Sequence, residues 1–105
     1  MSEITNAGIS KIRTILMSSR WDKVSMTGDI ELSDGILYIG VSKKTKAISL
    51  NYYLLINEEK VLVTKYSNYI FHKDRLRIVI TMDESGAGYF ELCDSQFSIR
   101  FKIKE

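Results

Sequence analysis

Two hydrophobic periodicities divide the chain, one near its start and another over the rest of its length. Near the start, apolar side chains recur at helical spacing, as in Ile9, Ile12 and Leu16. Ser2 and Thr5 both precede this run and are candidate N-caps. The pattern predicts one amphipathic helix within residues 1–20.

From Lys23 onward the hydrophobic period changes to two. Apolar and polar side chains alternate over residues 23–32, which is typical of a strand with one solvated face. Asp34-Gly35 supplies the residue types that a tight hairpin turn favours, and Gly86-Ala87-Gly88 marks a later loop. Similar alternation continues towards the C-terminus. Residues 23–105 are therefore predicted to form about seven antiparallel strands in hairpin order, a meander.

The candidate hairpins place apolar residues opposite apolar residues. Turns near residues 34–35, 57–60, 73–74 and 94–95 lead to the pairs Leu32–Leu37, Ile56–Val61, Phe71–Leu76 and Leu92–Phe97. A slip of one residue would move every apolar side chain of a strand to the other face. The alternation therefore predicts which face each side chain occupies.

The fold class expected from these elements is α+β. A twisted sheet of about seven strands with one buried face has to curl or be covered, and the helix is the candidate cover. We expect the sheet to curl around the helix as a half-barrel, in a single domain that spans residues 1–105. The alternative is a small closed β-barrel with the helix as a plug or lid.

The composition agrees with a compact soluble domain. The 105 residues are 45% hydrophobic and 27% charged, with no proline, and proline is excluded from central strands because it cannot donate to the ladder. The single cysteine cannot form an internal disulfide. The longest apolar run, residues 52–56, is far shorter than the roughly 20 residues of a membrane span, and no signal-peptide pattern precedes it. These features predict a cytoplasmic protein without a membrane segment.

The second face of the middle strands is the most informative feature of the sequence. Ile36 and Tyr38 have the opposite parity to Leu37 and Ile39, so both faces of this strand are apolar. One short helix cannot cover both faces, which predicts a tyrosine-rich patch that another molecule buries. Alternatively, loops, the Trp21 region or sheet curvature cover it internally. The predicted anchors of a protein interface are Tyr38, Tyr53, Leu55, Leu62 and Tyr66.

Basic side chains form a candidate rim around this patch, although the formal net charge is only +2. The rim would steer an acidic protein partner. Together with Tyr89 it also resembles the combination of charge and stacking that binds single-stranded nucleic acid. A basic edge strand, however, also discourages sheet-to-sheet aggregation. The rim residues are Lys43, Lys44, Lys46, Arg75, Arg77, Arg100 and Lys102.

Candidate catalytic groups are few. The chain has one cysteine, Cys93, and one histidine, His72, which could form a nucleophile and base pair but cannot complete a four-ligand zinc site. Asp29 and Glu31 share a strand face, as paired catalytic carboxylates do, but a solvated strand face produces the same pattern. The glycines of residues 85–88 lead into a strand and not into a phosphate-binding helix. We therefore expect no catalytic residue, no metal and no cofactor.

The sequence favours a small non-enzymatic protein-binding module that acts through its sheet face. Its partner would be another protein or a second copy of the chain. Short single-domain chains without cofactors in bacteria and phage often serve as immunity proteins, inhibitors or accessory factors. Two alternatives stay open: a barrel-like protein that binds a small apolar ligand between helix and sheet, and a single-stranded nucleic-acid-binding protein.

Overall fold

A computed structural model describes residues 3–63 and 74–104, together with the backbone of residues 69–72. The helical elements are α1 (Asn6–Met17) and a 3₁₀ turn (Ser19–Asp22). The strands are β1 (Glu3–Ile4), β2 (Met26–Glu31), β3 (Gly35–Ser42), β4 (Ala47–Ile56), β5 (Glu59–Leu62), β6 (Tyr69–His72), β7 (Arg77–Met82), β8 (Gly88–Cys93) and β9 (Ser98–Ile103).

The strands form two open sheets instead of one curled sheet. The first sheet has the order β2-β3-β4-β5, and β6 pairs with the other half of β4. The second sheet has the order β1-β9-β8-β7, in which β1 runs parallel to β9 and the remaining pairs are antiparallel. The predicted α+β class is confirmed. The predicted single half-barrel meander is wrong, and so is the alternative closed barrel.

The change of sheet occurs where the sequence predicted a hairpin at residues 73–74. Phe71 pairs with Ile48 of β4 and not with Leu76, so β6 belongs to the first sheet. The chain then enters the second sheet with β7. β4 is 10 residues long, so one of its edges holds both β5 and β6. β6 therefore pairs with the long central strand β4, whereas local alternation predicted that it would form a hairpin with β7.

The predicted side-chain faces are correct, whereas the predicted registers are shifted. The turn residues differ from those expected: Leu32 N donates to Gly35 O at 2.9 Å, and Asn57 and Glu58 occupy their turn with positive φ of 50° and 68°. A shift of two residues keeps every side chain on its face, because side chains alternate with a period of two. The observed pairs include Ile30–Leu37, Leu54–Val61 and Leu92–Ile99.

The helix is shorter than predicted at both ends. Thr5 is the N-cap, and its hydroxyl accepts a hydrogen bond of 3.0 Å from Gly8 N. The helix ends at Met17 because Ser18 adopts an extended conformation and caps the 3₁₀ turn. That turn buries Trp21. The buried apolar face of α1 comprises Ile9, Ile12, Ile15 and Leu16.

β1, which the sequence pattern placed in the helix, joins the two sheets at one corner. Ile4 is fully buried, pairs with Ile103 of β9 and forms an isolated bridge with Leu32 at the end of β2. Ser33 N also donates to Glu3 O at 2.9 Å. Two residues of extended chain thus close the core beside the start of α1.

The core lies between α1 and the inner faces of both sheets. One hydrophobic cluster draws buried side chains from α1, the 3₁₀ turn and strands of each sheet. Tyr52 of β4 stacks on Phe101 of β9, with ring centroids 6.2 Å apart. Gly28 lets α1 approach β2 closely, since an added Cβ would lie 2.5 Å from Ile15 Cδ1. The outer faces of the two sheets therefore point to different sides of the molecule.

Candidate functional site

The predicted interface residues that the structure describes share one surface, the outer face of the first sheet. Tyr38 lies on β3, Tyr53 and Leu55 lie on β4, and Leu62 lies on β5. Tyr66, the remaining predicted member, lies outside the described residues. The parity argument thus brings residues of three strands together.

Tyr53 is at the centre of this surface. It pairs with Ile36 of β3 on one side and with Leu62 of β5 on the other. Directly paired residues on one face have Cβ atoms about 4.5–5.5 Å apart, so these side chains are neighbours. Tyr38 lies two residues after Ile36 on β3, and Leu55 lies two residues after Tyr53 on β4, so both side chains are on the same face as Tyr53. We call this set the outer patch: Ile36, Tyr38, Tyr53, Leu55 and Leu62.

The outer patch is only partly covered. Leu55 and Leu62 are 45% and 41% exposed, and Ile36, Tyr38 and Tyr53 are half-buried. The helix packs on the opposite face of this sheet, where Ile15 approaches Gly28. Trp21 belongs to the core cluster on that inner side and does not cover the outer patch.

Two shallow depressions flank the Tyr38 ring. The first has a volume of about 330 Å³, and the second has a volume of about 370 Å³. The second exists because the strands there carry small residues, including Gly40, Ala47 and Ser49. Tyr38 therefore lies between a hollow that contains charged side chains and a hollow lined mainly by small side chains, several of them with hydroxyl groups. The first hollow is lined by Asp29, Ile36, Tyr38, Asn51, Tyr53 and Lys60.

The charges next to the outer patch have both signs. On the β2 side, Asp29 pairs with Tyr38 and Glu31 pairs with Ile36, and both carboxylates are exposed. On the β5 side, Lys60 pairs with Leu55. The immediate border of the patch is thus acidic along one edge and basic at the other, whereas the sequence predicted a basic rim.

The structure separates the predicted basic rim into two groups. One group, comprising Lys43, Lys44 and Lys46, occupies the turn between β3 and β4 at the end of the first sheet. Lys46 forms an exposed ion pair of 3.4 Å with Asp22. The other group belongs to the second sheet and the turn that precedes it: Arg75, Arg77, Arg100 and Lys102.

On the second sheet, the aromatic ring and a basic side chain that the nucleic-acid hypothesis requires are in contact with each other. The guanidinium carbon of Arg100 lies 3.9 Å from the centroid of the Tyr89 ring. Glu91, on the strand between β7 and β9, pairs with Arg100 and accepts a hydrogen bond of 2.8 Å from Ser98. A stacking base would have to displace Arg100 from Tyr89, so this surface supports nucleic-acid binding less well than the outer patch supports a protein interface.

The candidate catalytic groups do not form a site among the described residues. Cys93 is buried, and burial together with the neighbouring Glu91 carboxylate raises the pKa of its thiol. The thiol is therefore not poised as a nucleophile. The His72 side chain lies outside the described atoms. Within residues 3–63 and 74–104, no group of three His, Cys, Asp or Glu side chains gathers in metal-binding geometry.

A second apolar region was not predicted from the sequence. A groove of about 360 Å³ opens where the end of α1 meets both sheets, and Met17 at its border is 74% exposed. Beside it, Ile80 and Met82 of β7 are 45% and 72% exposed. Alternation assigned these β7 residues to the core face, and only the position of β7 at a sheet edge leaves them uncovered. We call the lining of this opening the apolar groove: Leu16, Met17, Ile48, Leu76 and Ile78.

Comparisons with known proteins add no family assignment. No protein-family model, curated protein or solved structure matches the chain. In the described part of the chain, no helix is both long and apolar enough to cross a membrane.

Proposed function

We propose that this protein is a non-enzymatic protein-binding module whose binding surface is the outer patch. The observation that supports this function is the direct pairing of Tyr53 with both Ile36 and Leu62 across three strands. Inhibitors, immunity proteins and accessory factors act through surfaces of this kind, and the proposal includes such a role.

The residue types of the outer patch suit an interface core. Tyrosine buries a large apolar area, retains a polar group for hydrogen bonding and has few rotatable bonds to immobilise. Tyr38 and Tyr53 are also held by paired strands, so little ordering remains to be done on binding. These two side chains are therefore the proposed anchors.

The partner is expected to carry complementary features. A basic group would face Asp29 and Glu31 along β2, and an acidic group would face Lys60 on β5. Such charges at the rim mainly accelerate association and select among partners. The depression of about 330 Å³ beside Tyr38 and Tyr53 would accept one aromatic or aliphatic side chain of the partner.

The test compares matched surface variants. Tagged wild-type protein, the double variant Tyr53→Ala/Leu62→Ser and a control on the second sheet, Arg100→Ser/Lys102→Ser, would each be used to capture partners from an extract of the source cells. A partner that binds the wild type and the control but not the outer-patch variant would support the proposal. With the purified partner, calorimetry should then give a loss of about 2 kcal/mol or more for Tyr53→Ala.

Folding of the variants has to be checked independently by circular dichroism and thermal unfolding. Equal affinity of the partner for the wild type and for a folded Tyr53→Ala/Leu62→Ser variant would contradict the proposed surface. A loss confined to the Arg100→Ser/Lys102→Ser control would move the binding site to the second sheet.

A second candidate function is binding of a small apolar ligand in the apolar groove. Its volume of about 360 Å³ is within the range of ligand pockets, roughly 300–1,000 Å³, and its lining is apolar. Native mass spectrometry of the protein with added fatty acids tests this function. A stoichiometric complex with fatty acid that is weakened in Met17→Lys would support this function. A spectrum that shows only the unliganded protein after fatty acid is added would contradict it.

A further inference from the structure

β7 is an apolar strand at the edge of the second sheet. In the part of the chain that the structure describes, β8 is its one neighbour. Residues 78–82 carry no charge, and the chain has no proline. Proteins usually protect an exposed edge with charges, proline or a bulge, because its free backbone groups can pair with another chain. The β7 edge has none of these residue types between Arg77 and Asp83.

The β2 and β5 edges of the first sheet differ from β7 in this respect. Asp29 and Glu31 project from β2, and β5 carries Glu59 and Lys60. All four side chains are exposed. The contrast indicates that charged residues protect the β2 and β5 edges against pairing and that such protection is lacking at β7.

A hydrogen bond in the loop between β7 and β8 shows which backbone groups of β7 point away from β8. Asp83 N donates to Ala87 O at 2.9 Å, which makes these two residues a hydrogen-bonded pair. Because hydrogen-bonded and non-hydrogen-bonded pairs alternate along an antiparallel ladder, every second residue before Asp83 also bonds to β8. The intervening residues, Ile78, Ile80 and Met82, direct their N–H and C=O groups to the open edge.

Side chains of the same residues are incompletely covered. Ile80 is 45% exposed although its partner on β8, Phe90, is fully buried. Met82 is 72% exposed. The core therefore extends to Ile78 of β7 but leaves Ile80 and Met82 exposed, and a further strand beside β7 would cover both these apolar side chains and the outward backbone groups.

We propose that two copies of this protein pair through β7, antiparallel and about a two-fold axis at Ile80, so that their four-stranded second sheets become one continuous sheet. This inference concerns a surface distinct from the outer patch and does not depend on the proposed function.

The register of this pairing follows from matching faces and hydrogen bonds. Directly opposed residues share a face in an antiparallel pair, so Ile80 opposes Ile80 and Ile78 opposes Met82 of the second copy. All three residues with outward backbone groups then find partners. A two-fold axis makes the contact self-complementary and closes the assembly at two copies.

Charge complementarity favours the same register. It places Arg77 of each copy opposite Asp83 of the other, and both residues lie on the outer face of the sheet. Asp83 stays ionised because the Ser85 hydroxyl, at 2.6 Å, helps to lower the pKa of its carboxyl group. Parallel pairing of the two strands would instead leave each Arg77 at the opposite end of the strand from Asp83 of the other copy, so this charge pair would not form. The antiparallel dimer is therefore the arrangement that the charges support.

The first experiment measures the mass of the whole chain by light scattering and sedimentation over a dilution series. The wild type should be a dimer that dissociates on dilution. Ile80→Lys places two like charges opposite each other on the axis and should weaken dimerisation by at least about tenfold. Ile56→Lys is the matched control, because Ile56 is 50% exposed, similar to Ile80, but lies at the end of β4. It should leave the dimer unchanged.

The second experiment tests the register by disulfide formation. In the proposed pairing the two Ile80 Cα atoms are about 5.5 Å apart, a separation that a disulfide can span. Ile80→Cys should therefore link the two copies on mild oxidation, and Val79→Cys should link them several-fold more slowly. The wild type should give little background because Cys93 is buried.

Several outcomes would overturn this pairing. One is a wild-type chain that stays monomeric throughout the dilution series, and another is a dimer that Ile80→Lys does not weaken. A dimer that survives Ile80→Lys but dissociates with Tyr53→Ala would place the contact on the outer patch instead. If Ile80→Lys does not fold, cross-linking decides, and faster linkage at Val79→Cys than at Ile80→Cys would reject the axis at Ile80.

Discussion

The Tyr52 hydroxyl donates a hydrogen bond of 2.9 Å to Asp34 Oδ1. The Tyr52 ring, only 4% exposed, also stacks on Phe101 of the second sheet. One side chain thus connects β4, the turn between β2 and β3, and β9. The next residue, Tyr53, points to the outer face and is the centre of the outer patch. Consecutive tyrosines therefore serve the core and the proposed interface.

Removal of the Tyr52 hydroxyl should destabilise the fold without disturbing its packing. Tyr52→Phe is expected to lower the free energy of unfolding by about 1 kcal/mol, the usual contribution of one hydrogen bond. Urea denaturation of Tyr52→Phe, Asp34→Ala and the double variant measures the coupling between the two residues. If the effects of the single variants simply add, the bond contributes no stability and the prediction is wrong.

Gly35 is predicted to be intolerant of any side chain. An added Cβ would collide with the backbone carbonyl oxygen of Tyr53, which cannot move without breaking the pairing of β3 with β4. Gly35→Ala should lower stability by about 1–3 kcal/mol or more. Gly40→Ala is the matched control on the same strand, because its nearest neighbour is the movable Ser49 hydroxyl at 3.1 Å. Thermal unfolding should show a much smaller loss for that control.

The loop between β7 and β8 should weaken in acid. The Ser85 hydroxyl and then the Ala87 and Ser85 amides lower the pKa of Asp83 from its ordinary value of 3.8. The folded loop thus favours the carboxylate, so its stabilising effect is present above the unfolded pKa and is lost as pH falls through the folded value. The Ser85 and Ala87 amides donate to this carboxylate, so their protection against hydrogen exchange, relative to the intrinsic rate at each pH, should fall over that acid range. In Asp83→Asn this pH-dependent fall should vanish, and its persistence there would refute this assignment.

Cys93 should be unreactive in the folded protein. Burial, reinforced by Glu91, raises the pKa of its thiol above the ordinary value of 9.0. Reaction with dithiobis-nitrobenzoate should therefore be slow and should accelerate on unfolding. Since the raised pKa disfavours the thiolate in the fold, stability should fall as pH rises through the unfolded and then the folded value. Cys93→Ala should remove that alkaline decline, whereas rapid labelling of the native thiol would contradict its burial.

The part of the candidate site that could be predicted is the part that depends only on whether a residue's position along its strand is odd or even. Tyr38, Tyr53, Leu55 and Leu62 share a face because residues of equal parity on paired strands do so in any register that keeps the core buried. The basic rim depends instead on which strands are neighbours. Arg77 and Arg100 belong to the second sheet, so they do not border the outer patch, whereas Asp29 and Glu31 do.

The sequence by itself determined the α+β class, the presence of one helix near the start of the chain and the inward or outward direction of the described residues of β2 to β5 and β7 to β9. These properties depend on interactions between residues that are close along the chain, and such interactions can be inferred from composition and hydrophobic periodicity. Only the tertiary structure decided the partition into two sheets, the capture of β6 by β4 and the role of Ile4 as the bridge between sheets. These choices depend on contacts between distant residues, and strands with the same alternation are interchangeable until three-dimensional packing selects their partners. The exposed edge at β7 arises in the same way, because whether a strand lies at an edge is a property of the whole sheet.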